Sequence, residues 1–278
     1  MLNGSWLVGT SRGVYASAEG GTWERLGAYR FRITAFARSD RRLLAATGSG
    51  LWELSEERWL QRHDETLTEV MDVIDEEQRI VAASAYGLAL GETESSGATR
   101  WVWLSDGLTV SQRFTNTILR LGDDHFLAGT EAGVLIYDGA NGWLTTSLQE
   151  LPIRSLIRWQ DHYLAGSDRG LWYSDNGVDW SRTGTEDAVY ALAAAGDNLL
   201  AGTEQGVSVS ADARAWHNAG LEGMRVSAIA ADARSNGHWY VGGSPGGLWM
   251  TQDHGRTWVG FPEIPDEVEA ISAAGARL

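Results

Sequence analysis

Short apolar runs alternate with polar, glycine-bearing turns along the whole chain, and the alternation repeats. One run ends in small residues and leads to a Gly: Trp6-Leu7-Val8-Gly9-Thr10 to Gly13, Leu43-Leu44-Ala45-Ala46-Thr47 to Gly50, and Ile80-Val81-Ala82-Ala83-Ser84 to Gly87. The phrase returns at Phe126 to Gly133, Tyr163 to Gly170, Leu199 to Gly206 and Trp239 to Gly247. Each unit closes on an aromatic residue, at Trp23, Trp59, Trp101, Trp143, Trp180, Trp216 and Trp258. A further apolar segment precedes each phrase, as in Ile33-Thr34-Ala35-Phe36-Ala37 and Val189-Tyr190-Ala191-Leu192-Ala193. Every unit therefore holds four short segments, A to D, bounded by Gly, Asp, Asn or Ser and too short and glycine-rich for helices.

A period near 40 residues with four strands per unit is the pattern of a propeller blade. The expected fold is all-β, a seven-bladed β-propeller of four-stranded antiparallel blades. Segments A and B are apolar on both faces, as strands buried between stacked sheets must be. The chain begins in a B segment (Trp6 to Thr10) and ends in an A segment (Val268 to Ser272). The C-terminal A strand is thus expected to join the N-terminal B, C and D strands, which removes an open sheet edge. Seven repeats occupy residues 1–278, so the reading is a single domain.

The turns between C and D carry a family resemblance. Thr251-Gln252-Asp253-His254-Gly255-Arg256-Thr257-Trp258 fits the Ser/Thr-x-Asp-x-Gly-x-Thr-Trp pattern, and Asp175-Asn176-Gly177-Val178-Asp179-Trp180 fits its core. Ser17 to Trp23 and Ser210 to Trp216 fall one residue short; the turns near Glu56-Glu57-Arg58, Glu92 to Arg100 and Tyr137-Asp138-Gly139 have drifted. In this the chain resembles the Asp-box, or BNR-repeat, propellers, in style nearest to photosystem II assembly factors and sortilin-like receptors. The resemblance implies a structural turn: a carboxylate accepting backbone N–H groups, a Gly at positive φ and a Trp packed into the blade. Sialidases of this superfamily have six blades and an Arg-Ile-Pro motif. Phe31-Arg32-Ile33-Thr34 lacks the Pro, and its Ile33 aligns with the A segment of every other repeat.

Composition narrows the partners. All 22 basic residues are Arg, and 37 acidic residues leave a net charge of −15. The absence of Lys favours a halophilic origin over codon bias, since hydrated carboxylates keep protein soluble where screening is nearly complete. The same charge opposes nucleic acid and anionic membrane as partners. There is no Cys, so thiol chemistry and zinc ribbons are excluded. His125, His162 and His238 recur at one place in three repeats, at least a blade apart, and neither a metal site nor a cofactor is expected. Met1-Leu2-Asn3-Gly4 lacks the basic and apolar regions of a signal peptide, which points to a cytoplasmic protein.

The residue before each A segment reads Glu267, Arg32, Glu69, Thr115, Pro152, Ala188 and Arg225 around the ring. Arg225, Glu267, Arg32 and Glu69 then alternate in sign along one half of the channel rim, with Arg12 and Arg30 close by. Such an arc reads either as a girdle of ion pairs between blades or as a polar ligand site. Asp72 and Arg120 replace small or apolar residues of other repeats and are expected in the channel interior as a pair on adjacent blades. No catalytic constellation is found. The function read from these features is a non-catalytic interaction or assembly-factor propeller that binds a protein partner, with Trp103 to Phe114 and Leu148 to Leu151 as candidate contact loops. The alternative is a carbohydrate-binding or glycoside hydrolase-like propeller with a glycan as partner. Its need for free Trp platforms is met only by Trp103 and Trp159, the other tryptophans being assigned to repeat positions.

Overall fold

A computed structural model describes residues 5–27, 30–39, 42–55, 58–76, 79–94, 98–183 and 185–273. Seven four-stranded antiparallel sheets form a ring of blades. Blade 1 combines Val268–Ser272 with Trp6–Thr10, Gly13–Ser17 and Glu24–Leu26, and the A strands of blades 2 to 7 begin at Ile33, Val70, Thr115, Ile153, Val189 and Arg225. Closure is as the repeat phase implies: Leu7 pairs with Ser272, Val8 with Ile271 and Gly9 with Ala270. A four-residue helix, Val110–Arg113, is the sole helix among the described residues. The drifted turn at Glu56-Glu57 lies outside them.

The core is divided by blade, in seven apolar clusters each lying between two neighbouring sheets. Trp6, Val8 and Trp23 of blade 1 pack on Tyr240, Leu248 and Phe261 of blade 7. Leu44, Ala46 and Leu51 of blade 2 pack on Val70, Val73 and Ile80 of blade 3. This explains the small residue near the end of strand B. A Cβ on Gly9 would lie 2.5 Å from Ile33 Cγ2, and one on Gly242 would lie 2.3 Å from Val268 Cγ1. The first A residue of the next blade fills that space, so a larger B residue would drive the blades apart.

The C–D turns show how the local pattern is satisfied. Asp253 accepts from Thr251 Oγ1 at 2.8 Å, from Thr257 N at 2.9 Å and from Thr257 Oγ1 at 2.7 Å. Asp212 does the same work for Arg214 and Ala215 N–H, both at 2.8 Å. In blade 5 the acceptor is Asn176, whose Oδ1 takes Val178 and Asp179 N–H. Asp175, one position earlier, instead accepts from Tyr173 and contacts His162. Trp23, Trp59, Trp101 and Trp180 are buried. Trp101 and Trp258 donate their indole N–H to Arg62 and Ala219 carbonyls of the preceding blade.

Candidate functional site

Every A strand carries a β-bulge near its start, after the first residue in six blades and after the second, Val226, in blade 7. Register skips from Ile33 to Ala35, Val70 to Asp72, Thr115 to Thr117, Ile153 to Ser155, Val189 to Ala191 and Val226 to Ala228. In blade 1 it skips from Val268 to Ala270. A bulge re-aims the extra side chain, and here the seven extra residues are Thr34, Met71, Asn116, Arg154, Tyr190, Ser227 and Glu269. All seven line one central channel of about 590 Å³. The backbone environment is the same seven times, and the residues in it are seven different types. The residue just before the bulge, by contrast, is Ile or Val in six blades of seven.

Three of the bulge residues donate to a backbone carbonyl of the next blade. Thr34 Oγ1 donates to Val70 O at 2.6 Å, Asn116 Nδ2 to Ile153 O at 3.0 Å and Ser227 Oγ to Val268 O at 2.8 Å. In blade 3 the bulge residue is Met71, which cannot donate, and Asp72 makes the tie instead. Its carboxylate accepts Ile118 N–H at 2.9 Å and Thr117 Oγ1 at 3.1 Å from blade 4, besides Val73 N–H at 2.8 Å. Burial in the channel wall raises the Asp72 carboxyl to about 6 in spite of these three donors, because no cation offsets the lost hydration.

The other bulge residues build the charged part of the mouth. Arg154 holds Asp168 with two parallel bonds of 2.8 and 2.9 Å and reaches Glu131 at 2.6 Å. Glu269 receives the Arg32 guanidinium at 2.8 and 2.7 Å, and burial lifts its carboxyl above the usual range although Arg32 opposes the shift. Arg225 bonds Glu267 at 3.0 Å and lies with its guanidinium carbon 5.4 Å over the Tyr190 ring, a cation–π arrangement. Burial, then Glu204 and Asp168, push the Tyr190 phenol up. Its hydroxyl has no hydrogen-bond partner among the described residues.

Of the expected arc, one adjacent pair is made within it and the rest of the charge finds other partners. Glu267 pairs with Arg225, its neighbour in the expected arc, while Arg32 turns to Glu269, which the alignment left out. Arg12 is exposed and 3.6 Å from Asp266. Glu69 and Arg30 are exposed and enter no ion pair among the described residues. None of the six rim residues lines the channel, because the bulge carries the wall one residue further along each strand. Thr115 pairs with Thr130 as the first A residue of its blade, so Phe114 is the true counterpart of Arg32. The second half of the rim is charged too, through Arg154, Glu131 and Asp168. Arg120 does line the channel, but it forms ion pairs with Glu76 at 2.9 Å and Asp123 at 2.6 Å and makes no pair with Asp72. Trp159, Leu148 and Leu151 are buried core rather than contact surface.

Blades, bulges and mouth together define a seven-bladed β-propeller with a chemically varied channel entrance. No family model and no curated protein matches the chain. Among solved structures, the extracellular domain of the one-component system BT4673 from B. thetaiotaomicron aligns with a TM-score of 0.65 at 16% identity, over 98% of this chain and 46% of that one. The chain therefore spans about half the length of that protein. YCF48 from Cyanidioschyzon merolae gives 0.63 at 14% identity over 95% and 90% of the two chains. The Swd1 propeller domain of Myceliophteria thermophila gives 0.64 at 16% over 88% and 89%. At such identities the likeness is one of fold.

Proposed function

We propose that this chain is a non-catalytic interaction propeller that docks a protein partner on the channel-mouth face. The observation that carries this is the bulge ring: one backbone position, repeated seven times, holds seven residue types, and among the described residues the Met71 and Tyr190 side chains make no hydrogen bond, while Arg154 and Glu269 bond charged rim residues and not the next strand's backbone. Packing demands are alike in all seven blades, so this variety is a property of what the face meets. The assembly-factor resemblance of the C–D turns leads the same way, and we infer an outlying member of the Asp-box propellers. The acidic, Lys-free surface suits a cytoplasm of high salt. Melting temperature should then rise between about 0.1 and 2 M KCl as screening relieves carboxylate repulsion; a flat or falling response removes the halophile reading.

The test of function is capture of a partner from native lysate at high salt, with wild type and Tyr190→Ala side by side. We expect a partner that the variant loses while its melting temperature stays close to wild type. Equal capture by both removes the mouth as the docking face. Hydrolysis of aryl glycosides or sialosides by the wild type would replace the platform reading with an enzymatic one.

A further inference from the structure

Three blades place a Trp in strand C two residues after the Gly that leads into it, at Trp52, Trp172 and Trp249, and the cover over these tryptophans differs. Trp52 faces Gln61 across the ladder, with the Phe31 ring stacked at 4.9 Å and His63 edge-on at 5.4 Å. Trp172 faces Arg182, and its indole nitrogen is enclosed. Trp249 faces Gly260, where even a Cβ would stand 3.1–3.3 Å from the indole's six-membered ring. One side of Trp249 packs on the core between blades 6 and 7. Among the described residues no ring stacks on it, and its Nε1–H has no hydrogen bond and is not walled in.

The loops around Trp249 depart from the repeat as well. In six blades the B–C turn is clamped by a Thr or Ser hydroxyl, as Thr10 bonds Gly13 O and receives Arg12 N–H. Blade 7 has Gly243 at that place, and its turn is one residue longer: Gly242 pairs with Leu248, where Gly202 pairs with Val207. The released turn holds Pro245, while Pro262 and Pro265 flank the other side. Three of the chain's four prolines thus border a groove of about 760 Å³ with Trp249 as its floor and Phe261 and Ile264 behind it.

We propose that this groove receives an extended, proline-rich segment of a partner protein with arginine or lysine beside its prolines. The proposal rests on the platform reading and names the chemistry of the partner on the same face. Apart from the Trp249 N–H, no lining side chain can donate or accept a hydrogen bond. A sugar would find no side-chain partner for its hydroxyls there beyond that N–H, at a desolvation cost for each one left unpaired. A proline segment brings few N–H groups to strand, offers carbonyls to the indole N–H and is already extended before it binds. Glu263 on the loop that flanks the groove enters no ion pair among the described residues, whereas Asp266 and Glu267 are already held by Arg12 and Arg225; the Glu263 carboxylate, on a chain of net charge −15, favours a basic flank and opposes a second copy of this chain.

Titration of tryptophan fluorescence and calorimetry with a short synthetic proline–arginine peptide tests this, against a glycine–arginine and a proline–glutamate peptide of equal length. The proline–arginine peptide should bind most tightly. Trp249→Phe, which keeps a ring on the core but lacks the donor, should weaken it roughly five- to tenfold, the equivalent of one hydrogen bond. Glu263→Gln should weaken it less and only at low salt. No binding to wild type, equal binding of the glycine peptide, or equal binding to Trp249→Phe each overturns the proposal. So does an oligosaccharide, or a concentration-dependent dimer, that depends on Trp249. If Tyr190-dependent partner capture survives while the peptide fails, the groove assignment falls and the platform reading stands; if capture fails as well, both fall.

Discussion

Asp253 in the C–D turn of blade 7 and Asp72 in the channel wall of blade 3 each accept three hydrogen bonds, yet they stand at opposite ends of the carboxylate range. Asp253 is drawn down to about 2, first by the Thr257 hydroxyl and then by the Thr257 N–H. Asp72 is pushed up to about 6 by burial, against donors of the same kind. The number of donors does not separate them; access to water does. At the turn end, polar groups answer to their own backbone and stay hydrated. At the mouth end they answer to the next blade and lose water in doing so.

The largest effect should come from the core beneath a turn. Trp180 is buried and donates to Gly177 O at 3.0 Å, and Trp180→Ala should lower stability by about 3–5 kcal/mol in denaturant melts. A loss below about 1 kcal/mol would show that the turn-end tryptophans do not hold the blades.

The pH response sharpens the comparison next. Asp72 has a folded value of about 6 against 3.8 unfolded, so its protonated form is favoured by folding. Its contribution is greatest below about pH 4 and declines as pH rises to about 6. The stability difference between wild type and Asp72→Asn should therefore change across pH 4 to 6, moving in favour of the variant as pH rises. A constant difference would mean that water reaches Asp72 freely.

Asp253 should behave in the opposite sense. Its folded value of about 2 lies below 3.8, so its contribution is full above about pH 4 and disappears as pH falls through 2. Asp253→Ala should be less stable than wild type at pH 7 and converge with it near pH 2. Failure to converge would assign the loss to turn geometry instead of charge.

The smallest effect belongs to the mouth ion pair. Arg32 is more than half exposed where it meets Glu269, and Arg32→Ala should cost only about 0–1 kcal/mol. A loss several times larger would make the arc a structural girdle of the closing blade. Loss of partner capture with an unchanged melting temperature would place Arg32 in the docking face.

Much of this was legible because it is local. The phase of the repeat announced seven blades and their closure, since period, turn residues and strand length are all read within a few residues of one another. The turn role of Asp253 was equally local. At blade 5 the same reading put Asp175 in the turn, where Asn176 proved to be the acceptor; only the backbone register separates neighbours of similar chemistry.

The mouth was less legible. Arg32, Glu267 and Arg225 were singled out as charged rim residues, and they do form ion pairs. Their alignment assumed an unbroken strand, however, and a bulge near the start of each A strand shifts the channel wall by one residue. Arg154, Tyr190 and Glu269 were missed for that reason, and Arg120 was wrongly joined to Asp72. Trp249 was counted with Trp52 and Trp172 because their places in the repeat are identical. A signal was available in Gly243-Ser244-Pro245-Gly246-Gly247, the one B–C turn without its hydroxyl clamp.

By itself the sequence determined the blade, its turns, the number of repeats and the ring closure, because these follow from strand periodicity and short-range hydrogen bonding. Which carboxylate meets which guanidinium, which aspartate loses its water and which tryptophan is left bare were decided only when the blades packed. Those properties depend on residues far apart in the chain, 237 positions between Arg32 and Glu269 and 46 between Asp72 and Ile118, and on a one-residue register shift that no local preference reveals.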